Sequence, residues 1–208
     1  TGYLLNVNWF RFYSLADTAT NGTSVSYAQG CSVKGTSTAG FAEALEIAKK
    51  ADVAVLVCGT DLSVADEGTD RTSLDLPGVQ NDLIRAVYQV NPKTILVLVT
   101  GFSLSVNWAE DSIPAILSAW YDGQAQGTAI ADVLFGDYNP GGKLNTTWYR
   151  SVSDLPPMED YNIRNNRTYM YFKGDPLYSF GHGLSYTGFG YDSLQLDSDQ
   201  LNPNDSLA

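Results

Sequence analysis

The chain has 208 residues, of which 44% are hydrophobic and 17% charged, enough for one α/β domain with a buried core and unlike a disordered chain. Its 12 Lys and Arg stand against 23 Asp and Glu, a net charge of −11. No basic stretch is long enough to track a phosphate backbone, which argues against a nucleic-acid partner, and the longest apolar runs, such as 95–99, are far too short to span a bilayer.

In chain order, residues 1–24 carry no clear pattern and are assigned to the same domain as residues 25–191. Thr38 is placed to cap a helix in which Phe41, Ala44, Leu45 and Ala48 share one face. Residues 51–58 (ADVAVLVC) form a short, continuous, largely β-branched run, as expected for a strand covered on both faces. A polar, glycine-containing loop occupies 59–78. A second helix is expected over 79–90, with Leu83, Ile84, Val87 and Val90 as its apolar stripe and Asn91-Pro92 as its stop. Residues 94–100 (TILVLVT) read as the next buried strand and 115–119 (AILSA) as a third. A short helix over 128–135 is closed by Gly136. Strand alternating with helix implies a mostly parallel sheet with helices on both faces, a three-layer α/β sandwich. After Pro140 the composition shifts to Gly, Pro, Asn and Tyr, giving a loop-rich tail expected to wrap a neighbouring surface. Residues 192–208 are polar and read as a linker or the truncated start of another module.

The 13 Tyr and 4 Trp could cover a sugar-binding surface, but packing in the core and at a domain interface accounts for them equally well. Cys31 and Cys58 make neither a disulfide framework nor a metal site; Cys58 ends an apolar run, as a buried thiol would. Four sequons, at Asn21, Asn145, Asn166 and Asn204, favour a secreted, extracellular glycoprotein. No signal peptide is visible and residue 1 is Thr, which fits a processed piece.

In a parallel α/β sheet, ligands bind beyond the carboxyl ends of the strands. The loop after Cys58 leaves such an end and carries Asp61, Asp66, Glu67, Asp70 and Arg71. Clustered carboxylates beside an Arg suit acid/base work, because like charges and partial burial raise one pKa. Spacing alone favours the plainer reading, a solvated acidic loop with Asp70–Arg71 as local structure. The single histidine, His182, lies between two glycines and supports neither a zinc site nor a Ser-His-Asp triad, so it is assigned a structural role. There is no phosphate-cradling loop or dinucleotide fingerprint, and the Asp197/Asp199 pair lacks the Gly and distal Glu of a calcium loop.

A set of motifs in this order resembles glycoside hydrolase family 3. They are Glu67-Gly-Thr-Asp-Arg71, Leu74-Asp-Leu-Pro-Gly-Val-Gln80, Ala119-Trp-Tyr-Asp-Gly-Gln124, Ala129 to Gly136, and Asn139-Pro-Gly-Gly-Lys-Leu144. Asp154-Leu-Pro-Pro157, Arg167-Thr-Tyr-Met-Tyr171 and Leu177 to Thr187 complete the set, so the resemblance covers 25–191. The chain departs from the pattern at Ala65, where many relatives carry a second Glu, at Asp122, where Pro is common, and at Gln126, which replaces a usual Gly.

The resemblance implies the non-barrel α/β sandwich domain of a retaining exo-β-glycosidase, a β-glucosidase or β-xylosidase acting on oligosaccharide or glycoside substrates without metal or organic cofactor. It also implies an N-terminal (β/α)8-type barrel, in cis or as a separate chain, that supplies the Asp nucleophile, and a fibronectin type III-like module beyond the far end. By the same resemblance Glu67 is the candidate general acid/base, with Glu67 or Asp66 standing in for the second Glu that relatives carry at position 65, and Asp66, Asp70 and Arg71 support the loop. A retaining mechanism needs two carboxyl groups roughly 5 Å apart, which places the sugar in the cleft between the two domains. The alternatives are a non-catalytic carbohydrate-binding or scaffolding remnant of such an enzyme and, more remotely, an unrelated acidic α/β interaction module.

Overall fold

The computed structural model describes residues 25–193, 195–196, 198, 200 and 202–204. The readings for 1–24, Asn21 and the Asp197/Asp199 pair lie outside them. The described elements are α1 (Phe41–Lys50), β1 (Ala54–Gly59), α2 (Gln80–Val90), β2 (Thr94–Val99), α3 (Asn107–Ser112), β3 (Ala115–Ser118), α4 (Gln126–Phe135) and α5 (Thr168–Tyr171). The three strands pair in the order β1-β2-β3, all parallel, with Gly59 opposite Val99 and Leu98 opposite Ser118.

Alternation along the strands divides the core. Leu96 and Leu98 point to one face, where Cys58, Ile84 of α2 and Ala109 of α3 join them. Val97 and Val99 point to the other, against Ala119 and Ile130 of α4. Burying each of these Leu, Ile and Val side chains contributes about 1.5–3 kcal/mol, so the central strand anchors both layers. Outside α2 lies α1, whose Ala48 packs with Leu83, Val87 and Ala54. The expected strands and helices are all present, with ends shifted by up to three residues.

Three expectations are corrected. Thr38 is not the cap of α1. Gly40 holds that position, and a Cβ there would lie 2.3 Å from the carbonyl oxygen of Gln29, so close backbone approach decides the residue. Val90, expected in the apolar stripe, is 37% exposed as the final residue of α2. The tail, expected to wrap a neighbouring surface, packs into the core of this domain. Trp148 is 1% exposed and Leu177 5%, both in the cluster beneath β2. Trp148 exchanges backbone hydrogen bonds with Leu177 and Tyr178 (2.8–3.2 Å), and its ring meets those of Trp120 and Tyr178 edge-on. Burial there pushes the Tyr178 phenol up to about 12.

Asn91 does more than stop α2. Its buried side chain donates to the carbonyls of Ala48 and Ala51, both at 2.9 Å, and accepts from Lys93 N–H at 3.0 Å. One amide thereby ties the ends of α1 and α2 to the entry of β2. We expect Asn91→Ala to destabilise the fold by about 2–3 kcal/mol, read as a lower urea midpoint with unchanged slope, since one buried and two part-buried polar groups lose their partner. A cost below about 0.5 kcal/mol would show that water replaces the amide.

Candidate active site

The acidic loop leaves the carboxyl end of β1 and returns at the start of α2, and its two roots are fixed. At the first root, Thr60 continues the pairing by donating its N–H to Val99 (2.9 Å). Its hydroxyl meets those of Thr100 (3.1 Å) and Tyr121 (2.7 Å), which joins the ends of β1 and β2 to the segment after β3. At the second root, Leu74 and Leu76 are buried and Ser105 N–H donates to the Leu74 carbonyl at 2.7 Å. Gly78 has φ 63°, and a Cβ on it would lie 2.4 Å from the carbonyl oxygen of Gly35, so this turn requires glycine.

Between the roots the loop is built from local turns. Asp61 accepts from Ser63 N–H (2.9 Å) and from its hydroxyl, a self-contained Asx turn. Asp66 and Thr69 exchange backbone hydrogen bonds (3.2 and 3.3 Å), and Gly68 N–H donates to Asp66 Oδ1 at 3.1 Å. These bonds place Glu67 and Gly68 at the tip of a two-residue reversal, with the Glu67 side chain exposed. Asp66 is spent on holding that turn; Glu67 is presented by it.

Arg71 anchors the descending limb. Its Nη1 donates to the Ser103 carbonyl at 2.6 Å, and its guanidinium lies 4.0 Å from the centre of the Phe102 ring. Partial burial lowers its pKa, opposed by the charge of Tyr121. Asp70 and Arg71 both line two cavities. One, of about 410 Å³, is also lined by Lys34, Val64, Asp75 and Gly78. The other, of about 370 Å³, has the tail as its far wall, with Leu155, Met158 and Arg167. Arg167 holds that wall by donating to the carbonyls of Pro157 and Asp160, both at 2.6 Å.

Of the residues singled out from sequence, Asp66 and Glu67 form the turn tip, Asp70 and Arg71 line both cavities, and Asp61 is taken up in its own turn. His182 stacks on Tyr178 with ring centres 5.0 Å apart, in keeping with a structural residue. Cys31 and Cys58 are both free thiols, and burial pushes both pKa values up. Asn145 and Asn204 are exposed, whereas Asn166 is half-buried and its Oδ1 accepts from Lys173 N–H at 2.9 Å. Gln126, one of the departures from the resembled pattern, is buried and donates to the carbonyls of Ala119 and Trp120.

Sequence reasoning gave no individual role to Gln80, Tyr121, Phe102 or Arg167, although all but Phe102 lie in the motifs quoted above. Gln80 is 3% exposed; its Oε1 accepts from Gly59 N–H (2.7 Å), and its amide nitrogen donates to the carbonyls of Gly59, Val33 and Pro77 (2.8, 2.9 and 3.2 Å). A glutamine at the head of an apolar helix stripe was the available signal.

The parallel sheet, the rooted acidic loop and the tail that closes the core together define an α/β sandwich domain. Residues 9–186 match the glycosyl hydrolase family 3 C-terminal domain, and the chain belongs to that family. A β-xylosidase of Formosa agariphila is 40% identical over 184 residues, 86% of this chain and 25% of the relative. Among solved structures, a GH3 exo-β-xylosidase (XlnD) in complex with a xylobiose aziridine probe is 35% identical, with a TM-score of 0.76 over 83% of this chain and 23% of that one. A β-glucosidase from Kluyveromyces marxianus is 37% identical with a TM-score of 0.69, over 76% of this chain and 20% of that one. The chain spans about a quarter of the length of the first of these relatives.

Proposed function

We propose that this chain is the acid/base-bearing domain of a secreted, retaining exo-β-glycosidase that releases terminal non-reducing β-D-xylosyl residues. The observation that carries the reading is Glu67 at the tip of a turn whose two roots are fixed at the carboxyl end of the sheet. The names of two of the relatives above support the xyloside. The sequons and the net charge of −11 support secretion.

In this reading a barrel domain supplies the second carboxyl, an Asp nucleophile, and the sugar lies between the two domains. As the Asp oxygen attacks the anomeric carbon, Glu67 gives its proton to the departing glycosidic oxygen. Glu67 then takes a proton from the water that displaces the Asp, which restores both groups and retains the anomeric configuration.

The test is to follow hydrolysis of aryl β-D-xylosides and β-D-glucosides by the full-length protein, with NMR of the first-formed sugar. Faster turnover of the xyloside with β-xylose appearing first is the expected result. A glucoside preference would correct the sugar, α-xylose first would overturn the retaining mechanism, and sugar binding without turnover would favour the non-catalytic remnant.

A further inference from the structure

We propose that Gln80 is a positioning residue for the acid/base, clasping the loop that presents Glu67; this rests on the role given to Glu67 above. The loop departs from Gly59 and returns at Pro77, and the Gln80 side-chain amide bonds to both. Its oxygen takes the Gly59 N–H at 2.7 Å, while its two amide hydrogens are shared among the carbonyls of Gly59, Pro77 and Val33 at 2.8, 3.2 and 2.9 Å. The two bonds to Gly59 pair the amide with one residue's N–H and C=O, as a neighbouring strand would. A residue of α2 thereby completes β1 at the point where the chain turns away from the sheet.

The geometry explains why a polar residue lies in the core at the head of α2. Gln80 is 3% exposed, and the next inward positions of the helix are Leu83 and Ile84. Between Gly59 and Pro77 the reversal at Asp66–Thr69 is closed by bonds within itself. The place of Glu67 relative to a bound sugar therefore depends on the fixed roots, and among the described residues Gln80 is the side chain bonded to both ends. Thr60, Lys34 and Arg71 hold single points along the path.

A displaced general acid leaves a distinctive trace. Departure of a poor leaving group needs its proton, whereas 2,4-dinitrophenolate departs without one. In the full-length enzyme, Gln80→Met, which keeps the length and removes the hydrogen bonds, should lower kcat/KM for xylobiose by roughly 10- to 100-fold. For 2,4-dinitrophenyl β-D-xyloside the loss should stay below about threefold, because that substrate needs no general acid. Glu67→Gln, run beside it, should show the same selectivity more strongly. Equal losses on both substrates in Gln80→Met would make Gln80 an ordinary core residue and overturn the inference. If Glu67→Gln itself shows no selectivity, the reading of Glu67 fails instead, and the inference with it. Should Gln80→Met not fold, Gln80→Asn keeps a polar amide but is one methylene too short to reach both ends, and the same ratio decides.

Discussion

Glu67→Gln in the full-length enzyme should lower kcat/KM for xylobiose by about 10²–10⁴-fold, the range that loss of a general acid produces. The expected size rests on the replacement being nearly silent for structure. Glu67 is exposed at a turn tip, and the turn is held by the Asp66 carboxylate and the backbone of Asp66 and Thr69, none of which the substitution touches. An exposed change of this kind shifts stability by no more than about 0.5 kcal/mol, so lost activity is lost chemistry. The amide keeps the shape of the side chain but has no proton to give at the leaving oxygen. Full activity in Glu67→Gln would sink the assignment. Asp66 would then be the remaining carboxylate of the tip, at the cost of the bond it makes to Gly68.

Where the sequence was legible, the signal was local. Residues 94–99 form a continuous β-branched and leucine run whose members are nearly all buried, and such a run has few places to go but the centre of a sheet. Gly136 ends α4 with φ 83°, a conformation that glycine tolerates best, so the stop was readable from one residue. What was missed depends on contacts remote in sequence. Gly40 replaces Thr38 as the cap because the backbone of Gln29 and Gly30 passes close by. Helix α3 spans only six residues, too few for a period to register. Trp148 became core through pairing with Leu177 and Tyr178, and no periodicity at 140–150 announces that. The same division runs through the site. The acidic loop and the Glu67–Arg71 motif were visible as composition and resemblance, whereas the turn that takes up Asp61 was not. The second cavity was not visible, because Arg167 and Met158 reach Asp70 and Arg71 only through the fold of the tail.

Gly59→Ala should be among the most damaging single substitutions in the domain, costing more than about 4 kcal/mol. Gly59 is the last residue of β1 and lies opposite Val99 in the parallel ladder, with φ 151°. A Cβ on Gly59 would sit 1.8 Å from the Val99 carbonyl oxygen, 2.7 Å from its carbon and 2.9 Å from its nitrogen. All three are backbone atoms of the central strand, whose side chains fill both core layers, so β2 cannot retreat without opening one of them. Moving β1 instead breaks the bonds from Gly59 to Gln80 and shifts the root of the loop that carries Glu67. Against a total stability of about 5–15 kcal/mol for an ordinary domain, either route leaves little margin. Gly136→Ala is the comparison that isolates the cause. Gly136 also has positive φ, at 83°, but its Cβ position has open space for 4 Å around, so only the conformational strain of roughly 1–2 kcal/mol applies. Thermal unfolding of the two full-length variants, followed by tryptophan fluorescence, should therefore separate them widely, with Gly59→Ala failing first. Similar losses would mean that the strand pair yields to the methyl group, and the rigidity attributed to the loop's first root would have to be given up.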